Sequence, residues 1–307
     1  KSYSQEIPLT LEDLIPGGKT YNKYRTKMPR QIFWYGDKLA FIKGDSVKTI
    51  PLNDTDKSEV LLTLKDINSV LNSAGAREMT RLVSVPPVSP RSNDLTIMIP
   101  GQIVLYDYLA KTLTASYSTI PNMANQDFAD KTRYMAYTKD NNLYIQTSDA
   151  TEISVTDDSD KGIVSGQAVH RNEFGINKGT FWSPDGNLLA FYRMDETMVT
   201  DYPLVDISAR VAQLKDIKYP MAGMKSHHVT VGIYNPQTSK TVYLKTETPK
   251  EKYLTNIGWS PDGKTIYIAE INREQNVCEL KSYDVNSGNQ LNVLFTETHS
   301  KYVEPEN

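Results

Sequence analysis

Between Gly166 and Lys178 the sequence sets His170, Arg171, Asn172 and Glu173 in one polar run, G-Q-A-V-H-R-N-E-F-G-I-N-K. Glu173 is the group there best suited to hold a ligand, because a carboxylate in a partly dry setting binds an ammonium through charge-assisted hydrogen bonds. It also reads as a surface carboxylate, or as the ion-pair partner of Arg171 or Lys178. His170 beside it reads as a satisfied structural imidazole. His227 and His228 are adjacent on a strand-like run, point to opposite faces and cannot readily ligate one metal. Asp157-Asp158-x-Asp160 lacks the glycine and terminal glutamate of a calcium loop and reads as a solvated turn. Asp195-Glu196 closes a strand, as a turn or as cavity lining. Cys278, the single cysteine, reads as a buried inert thiol. No metal site and no cofactor are expected.

These residues must be positioned by a repeating unit. Trp182-Ser183-Pro184-Asp185-Gly186 leads into the apolar run Leu188 to Tyr192, and Trp259-Ser260-Pro261-Asp262-Gly263 leads into Thr265 to Ala269. Proline presets the second turn position, aspartate tolerates the third and glycine supplies a positive dihedral. Degenerate copies start at Trp34, Ser89 and Phe128, and each copy is followed by a second strand-like run, at Val47, Ile103, Leu143, Val229 and Glu279. Repeats of roughly 40 to 50 residues built from short strands mark β-propeller blades. The expected fold is therefore all-β, with about five recognisable propeller blades and few short helices.

Composition agrees. In 307 residues with 39% hydrophobic content a sizeable core is available, and 19 Tyr against 7 Phe suits strands with one wet face. A formal charge of -3 leaves no electrostatic footprint for nucleic acid or an anionic membrane. No apolar run reaches the roughly eighteen residues of a membrane span, and no signal sequence is visible.

In chain order, residues 1–29 form an N-terminal extension in which Thr10 is a helix N-cap, and 30–307 form a partial propeller. The expected blades are 30–63, 83–118, 125–158, 179–245 and 254–296. A short helix is expected from Leu64 to Leu71, with Leu64, Ile67 and Leu71 on one face and Gly75 as its stop. Residues 195–225 show no strand period and are expected to be a long excursion between strands.

The run from Gly166 to Glu196, Tyr-Pro-x-Ala-Gly at Tyr219 to Gly223, the Ser-Pro-Asp-Gly turns and Asn272-Arg273-x-Gln275-Asn276 together resemble the dipeptidyl peptidase IV family. The text from His170 to Gly175 is most similar to the bacterial prolyl tripeptidyl peptidases. The resemblance implies a serine exopeptidase in which an eight-bladed N-terminal propeller caps a C-terminal α/β-hydrolase domain of the same polypeptide. Family members release di- or tripeptides after proline from peptide N-termini. The family's Gly-x-Ser-x-Gly elbow is absent here, so no catalytic residue is assigned and no peptidase activity is expected of this chain alone.

Phe174, eight residues before Trp182, aligns Glu173 with the second of two glutamates that grip the substrate's amine in the family. Asn172 stands where the first would be. One carboxylate in place of two suits an amine lying one residue further out, as tripeptide release requires. The resemblance further implies export to the periplasm or beyond, and leaves room for a homodimer. An arginine that the mammalian enzymes carry on a blade-two hairpin has no counterpart in Ile97 to Val104. A partial ring exposes blade faces, so self-association is expected. The alternative is a non-catalytic propeller that serves as a binding or interaction module, since fold alone does not choose among functions.

Overall fold

Ser183-Pro184-Asp185-Gly186 and Ser260-Pro261-Asp262-Gly263 form the same turn twice in the computed structural model, which describes residues 8–25, 30–54 and 57–306. The expectations for 1–7, 26–29 and 307 lie outside the described residues. Gly186 and Gly263 take φ of 74° and 68° and donate to the Ser183 and Ser260 carbonyls at 2.8 and 2.9 Å. Each serine hydroxyl donates to the turn aspartate at 2.6 Å and accepts the N–H of the residue five positions on. Both turns thus satisfy their own polar groups before the next strand begins.

Among the described residues six antiparallel sheets form, five of them following one another along the chain and the sixth a two-stranded hairpin set within the fourth. The first is β1 (Arg30–Tyr35), β2 (Lys38–Lys43), β3 (Ser46–Pro51) and β4 (Glu59–Thr63). The second is β5 (Asp94–Ile99), β6 (Gln102–Asp107) and β7 (Thr112–Ser118). The third is β8 (Ala124–Phe128), β9 (Met135–Lys139), β10 (Asn142–Gln146) and β11 (Glu152–Ser154). The fourth pairs β12 (Ile163–Ser165) and β13 (Thr180–Trp182) with one side of β14 (Leu189–Asp195). A two-stranded hairpin, β15 (Asp201–Asp206) and β16 (Gln213–Lys218), intervenes before β17 (His228–Asn235) and β18 (Lys240–Tyr243) complete that sheet. The fifth is β19 (Tyr253–Trp259), β20 (Thr265–Ile271), β21 (Val277–Asp284) and β22 (Gln290–Thr298). These are propeller blades.

Buried apolar clusters lie between neighbouring blades. Tyr35, Ala40 and Val47 meet Leu95, Ile97 and Val104. Ile103, Leu105 and Tyr117 meet Met135 and Tyr137. Ala136 and Leu143 meet Leu189 and Phe191, and Val231 and Ile233 meet Ile266 and Ile268. The repeated tryptophans join blades by a polar contact as well. Trp182 Nε1–H donates to the Asp127 carbonyl and Trp259 Nε1–H to the Phe181 carbonyl, each at 3.1 Å and each on the first strand of the preceding blade. Trp182→Phe and Trp259→Phe should each cost about 1 kcal/mol in denaturant unfolding, the net worth of one such bond. Trp34→Phe, at an exposed indole, should cost nothing measurable.

Helices are few and short among the described residues: α1 (Leu11–Leu14), with Thr10 at its N-cap, α2 (Tyr21–Tyr24) and α3 (Leu64–Ser73). Thr63 and Asp66 cap α3 reciprocally, Ile67 and Leu71 bury its inner face, and Gly75 follows at φ 69°. One expectation is corrected. Residues 195–225 are not a strandless excursion, because β15 and β16 pair from Asp201↔Lys218 to Asp206↔Gln213. Nearly every residue of this hairpin is exposed, so neither face imposes the alternation that half-burial writes into a sequence.

Candidate functional site

The first strand of the fourth blade is cut in two. β12 ends at Ser165 opposite Arg193, and β13 resumes at Thr180 opposite Phe191. The chain between them leaves and returns through a neck in which Gly166 N–H donates to the Tyr192 carbonyl at 2.8 Å and Tyr192 N–H donates to the Gly179 carbonyl at 3.0 Å. The two limbs touch there. A Cβ on Gly179 would lie 2.2 Å from the Gln167 carbonyl oxygen.

Inside the loop the backbone is strained. His170, Arg171, Asn172 and Phe174 all have φ between 52° and 63°, while Glu173 between them is extended at φ -58°, ψ 155°. Side chains other than glycine pay roughly 1–2 kcal/mol each for left-handed backbone, so the fold must over-determine this turn. Phe174 is buried against the Tyr253 ring, centroids 5.3 Å apart. His170 is buried too, and its Nε2 accepts the Leu254 N–H at 3.1 Å. A neutral imidazole with an accepting Nε2 carries its proton on Nδ1, so His170 donates to His227 Nε2, 3.0 Å away. Burial lowers the pKa of His170 to about 3 and that of His227 to about 4, with neighbouring imidazole and arginine charges adding to it. Both rings are neutral at physiological pH.

The outer side of the turn is polar and exposed. The Arg171 guanidinium donates to the Lys218 carbonyl and lies 4.8 Å from the centre of the Tyr219 ring. Asn172 Nδ2 donates to the Ile176 carbonyl at 2.9 Å. Lys178 pairs with Asp127 at 3.1 Å. Both cations that the sequence offered to Glu173 are therefore engaged elsewhere. Among the described residues the exposed Glu173 carboxylate has no ion-pair partner. Glu196 is half-buried nearby, its pKa raised by burial against the opposing pull of Arg171 and Lys218.

His227 joins this turn, and the other remaining candidates lie apart from it. His227 turns inward to His170, and His228 lies opposite Asp195 in the sheet. Asp158 is paired with Arg193 at 2.8 Å, and Cys278 is buried, its thiol pKa raised by desolvation. No group of three or more metal-type side chains converges among the described residues. Sequence reasoning missed the His227 partnership and the Arg171 contacts, which join residues 57 and 47 positions apart. It also missed the buried network in which Glu270 accepts from Lys252 at 2.6 Å and from Lys281 at 3.4 Å.

Fold and site together define a β-propeller that presents a carboxylate on a fixed turn between the two halves of a blade's first strand. The family model of the dipeptidyl peptidase IV N-terminal region matches residues 93–307, and the chain belongs to that family. A solved structure from Bacteroides ovatus, named as a dipeptidyl aminopeptidase IV, is 44% identical with a TM-score of 0.83, over 97% of this chain and 41% of its own. Porphyromonas gingivalis dipeptidyl peptidase 4 shares the fold at 19% identity and a TM-score of 0.76, over 98% of this chain and 44% of its own. A Phaeosphaeria nodorum protein named as a dipeptidyl-aminopeptidase B is 29% identical over 178 residues, 52% of this chain and 20% of that protein. The chain thus spans about two fifths of these solved relatives. No helix among the described residues is long and apolar enough to cross a membrane.

Proposed function

We propose that this chain is the substrate-recognition propeller of a serine exopeptidase that releases proline-containing di- or tripeptides from peptide N-termini, with Glu173 holding the substrate's α-ammonium. The observation that carries the reading is the unpaired, exposed Glu173 carboxylate on a turn whose backbone is fixed from behind by His170 and Phe174. An α-amino group, with a pKa of roughly 7.7 to 8.0, is largely an ammonium at neutral pH and offers three donors. Glu173 takes one or two of them. The Asn172 amide nitrogen is committed to Ile176, which leaves its carbonyl oxygen as the neighbouring acceptor. A single carboxylate here favours tripeptide release over dipeptide release. The catalytic serine belongs to an α/β-hydrolase domain of the same polypeptide, and the enzyme is exported and homodimeric.

The test uses the full-length gene product and proline-containing di- and tripeptide chromogenic substrates with free or acetylated N-termini. Glu173→Gln should raise KM for free-amine substrates by about tenfold to a hundredfold, the worth of one charge-assisted hydrogen bond, and leave acetylated substrates unaffected. If neither substrate type is cleaved, a non-catalytic binding module replaces this reading; if both are cleaved and the substitution changes nothing, Glu173 is not the amine anchor.

A further inference from the structure

The left-handed turn has two sides, held by different elements. Its inner side is fixed by the His170 bonds to Leu254 and His227 and by Phe174 against Tyr253. On the outer side, the Asn172 side chain bonds only within the loop, to Ile176. Lys178, at the end of the loop, pairs with Asp127 of β8, and of the left-handed residues themselves Arg171 is the one whose outer side chain reaches another element. Its target is the base of the β15–β16 hairpin, at the Lys218 carbonyl and the Tyr219 ring.

That base is itself well tied. Tyr219 N–H donates to the Thr200 carbonyl at 3.0 Å, while Lys218 Nζ donates to the Val199 carbonyl at 3.1 Å and pairs with Asp201 at 3.0 Å. Val199 is buried. Beyond this base the hairpin pairs with no other strand among the described residues. Arg171 therefore grips the one firm part of it.

We infer that Arg171 is a positioning residue: it clamps the left-handed turn to the hairpin base at Lys218 and Tyr219, and so sets the affinity of the Glu173 carboxylate for its ligand. The inference rests on the reading of Glu173 as the amine anchor. Arg171 and Asn172 are consecutive left-handed residues leading directly into Glu173, and each has a more favourable right-handed alternative. Without the clamp the outer half of the turn relaxes and the carboxylate shifts, and a displacement of about 1 Å is enough to cost substantial binding. The clamp suits a guanidinium, whose fixed fork of donors reaches the carbonyl while its delocalised charge lies 4.8 Å from the ring centre. A lysine ammonium, a compact and strongly hydrated point charge, fits the two contacts less well.

The experiment measures KM and kcat of the full-length gene product with a free-amine and an acetylated proline-containing tripeptide substrate. Arg171→Ala, Arg171→Lys and Tyr219→Ala should each raise KM for the free-amine substrate, by about tenfold for Arg171→Ala, with kcat and the acetylated substrate unaffected. Tyr219→Phe, which keeps the ring, should match wild type. Arg171→Ala combined with Tyr219→Ala should be no worse than Arg171→Ala alone, as for two halves of one contact. Wild-type KM in Arg171→Ala, alongside a raised KM in Glu173→Gln, overturns the inference and leaves the amine site standing. An unchanged KM in Glu173→Gln removes the amine site and the inference with it. A fall in kcat and melting temperature at constant KM makes Arg171 merely structural and also overturns it.

Discussion

Gly179→Ala should destabilise the protein by about 3 kcal/mol or more and, in the full-length gene product, abolish discrimination between free and acetylated N-termini. The reason is the neck of the loop. A Cβ at this position would stand 2.2, 2.3 and 2.4 Å from the backbone O, C and N of Gln167, distances no side-chain rotation can relieve. Overpacking ordinarily costs about 1–3 kcal/mol when side chains can yield, and here the obstacle is backbone on both limbs. The limbs must part, which breaks the Tyr192 N–H bond to the Gly179 carbonyl and moves β13 away from β14. The turn carrying Glu173 hangs from that neck. Gly258→Ala is the control, since a Cβ there meets nothing within 4 Å, and it should change stability by no more than about 0.5 kcal/mol. Urea unfolding of both variants decides the matter: equal midpoints would mean that the neck opens without cost.

Much of this architecture could be read from the sequence because it is written locally. Ser183 to Leu188 and Ser260 to Thr265 close their turns with their own hydroxyl and carboxylate groups, so five letters suffice to announce them. The helix at Leu64 was legible for a similar reason, with its buried face and its stop falling within residues 64–75, while its cap at Thr63 appears only in the structure. The β15–β16 hairpin was not legible. With both faces wet it carries no period, and Pro203 within β15 argues further against a strand, although it is tolerated where β15 has a free edge.

The candidate site divides in the same manner. Glu173 stood out through the text around it, but nothing in that text reveals a left-handed backbone, since none of His170, Arg171, Asn172 and Phe174 is glycine. What makes that conformation tenable arrives from distant parts of the chain: Leu254 and Tyr253 from the fifth blade, His227 from just before β17, and Lys218 and Tyr219 from the hairpin base. Strand alternation sends His227 and His228 to opposite faces, yet alternation alone could not say that the inward imidazole would meet another imidazole.

That imidazole pair should make stability fall steeply with acid in a window where few other groups act. With folded pKa values of about 3 for His170 and about 4 for His227, and an unfolded value of roughly 6.5, the unfolded chain binds protons that the folded chain refuses. Stability therefore rises with pH between the folded and unfolded values. It is fully present above about pH 6.5 and is lost as pH falls toward 4, at up to about 1.4 kcal/mol per pH unit for each ring. The carboxylates whose pKa values are lowered by hydrogen bonds, Asp66, Asp185 and Asp262 among them, lose their contributions only below roughly pH 4. Glu196, whose pKa burial raises, acts in the opposite sense, so a net rise of stability with pH between about 4.5 and 6.5 comes from the imidazoles. His227→Gln retains an acceptor for the His170 N–H and removes one titrating ring, so it should roughly halve the slope in that interval. Unfolding free energies measured at half-unit steps test this, and a wild-type profile flat across the interval would mean that the two rings do not hold the turn as neutral partners. A substrate ammonium stays charged throughout the interval, so any loss of free-amine binding relative to acetylated peptide there arises on the protein side, in the turn or in the carboxylate it presents, and not from the ligand.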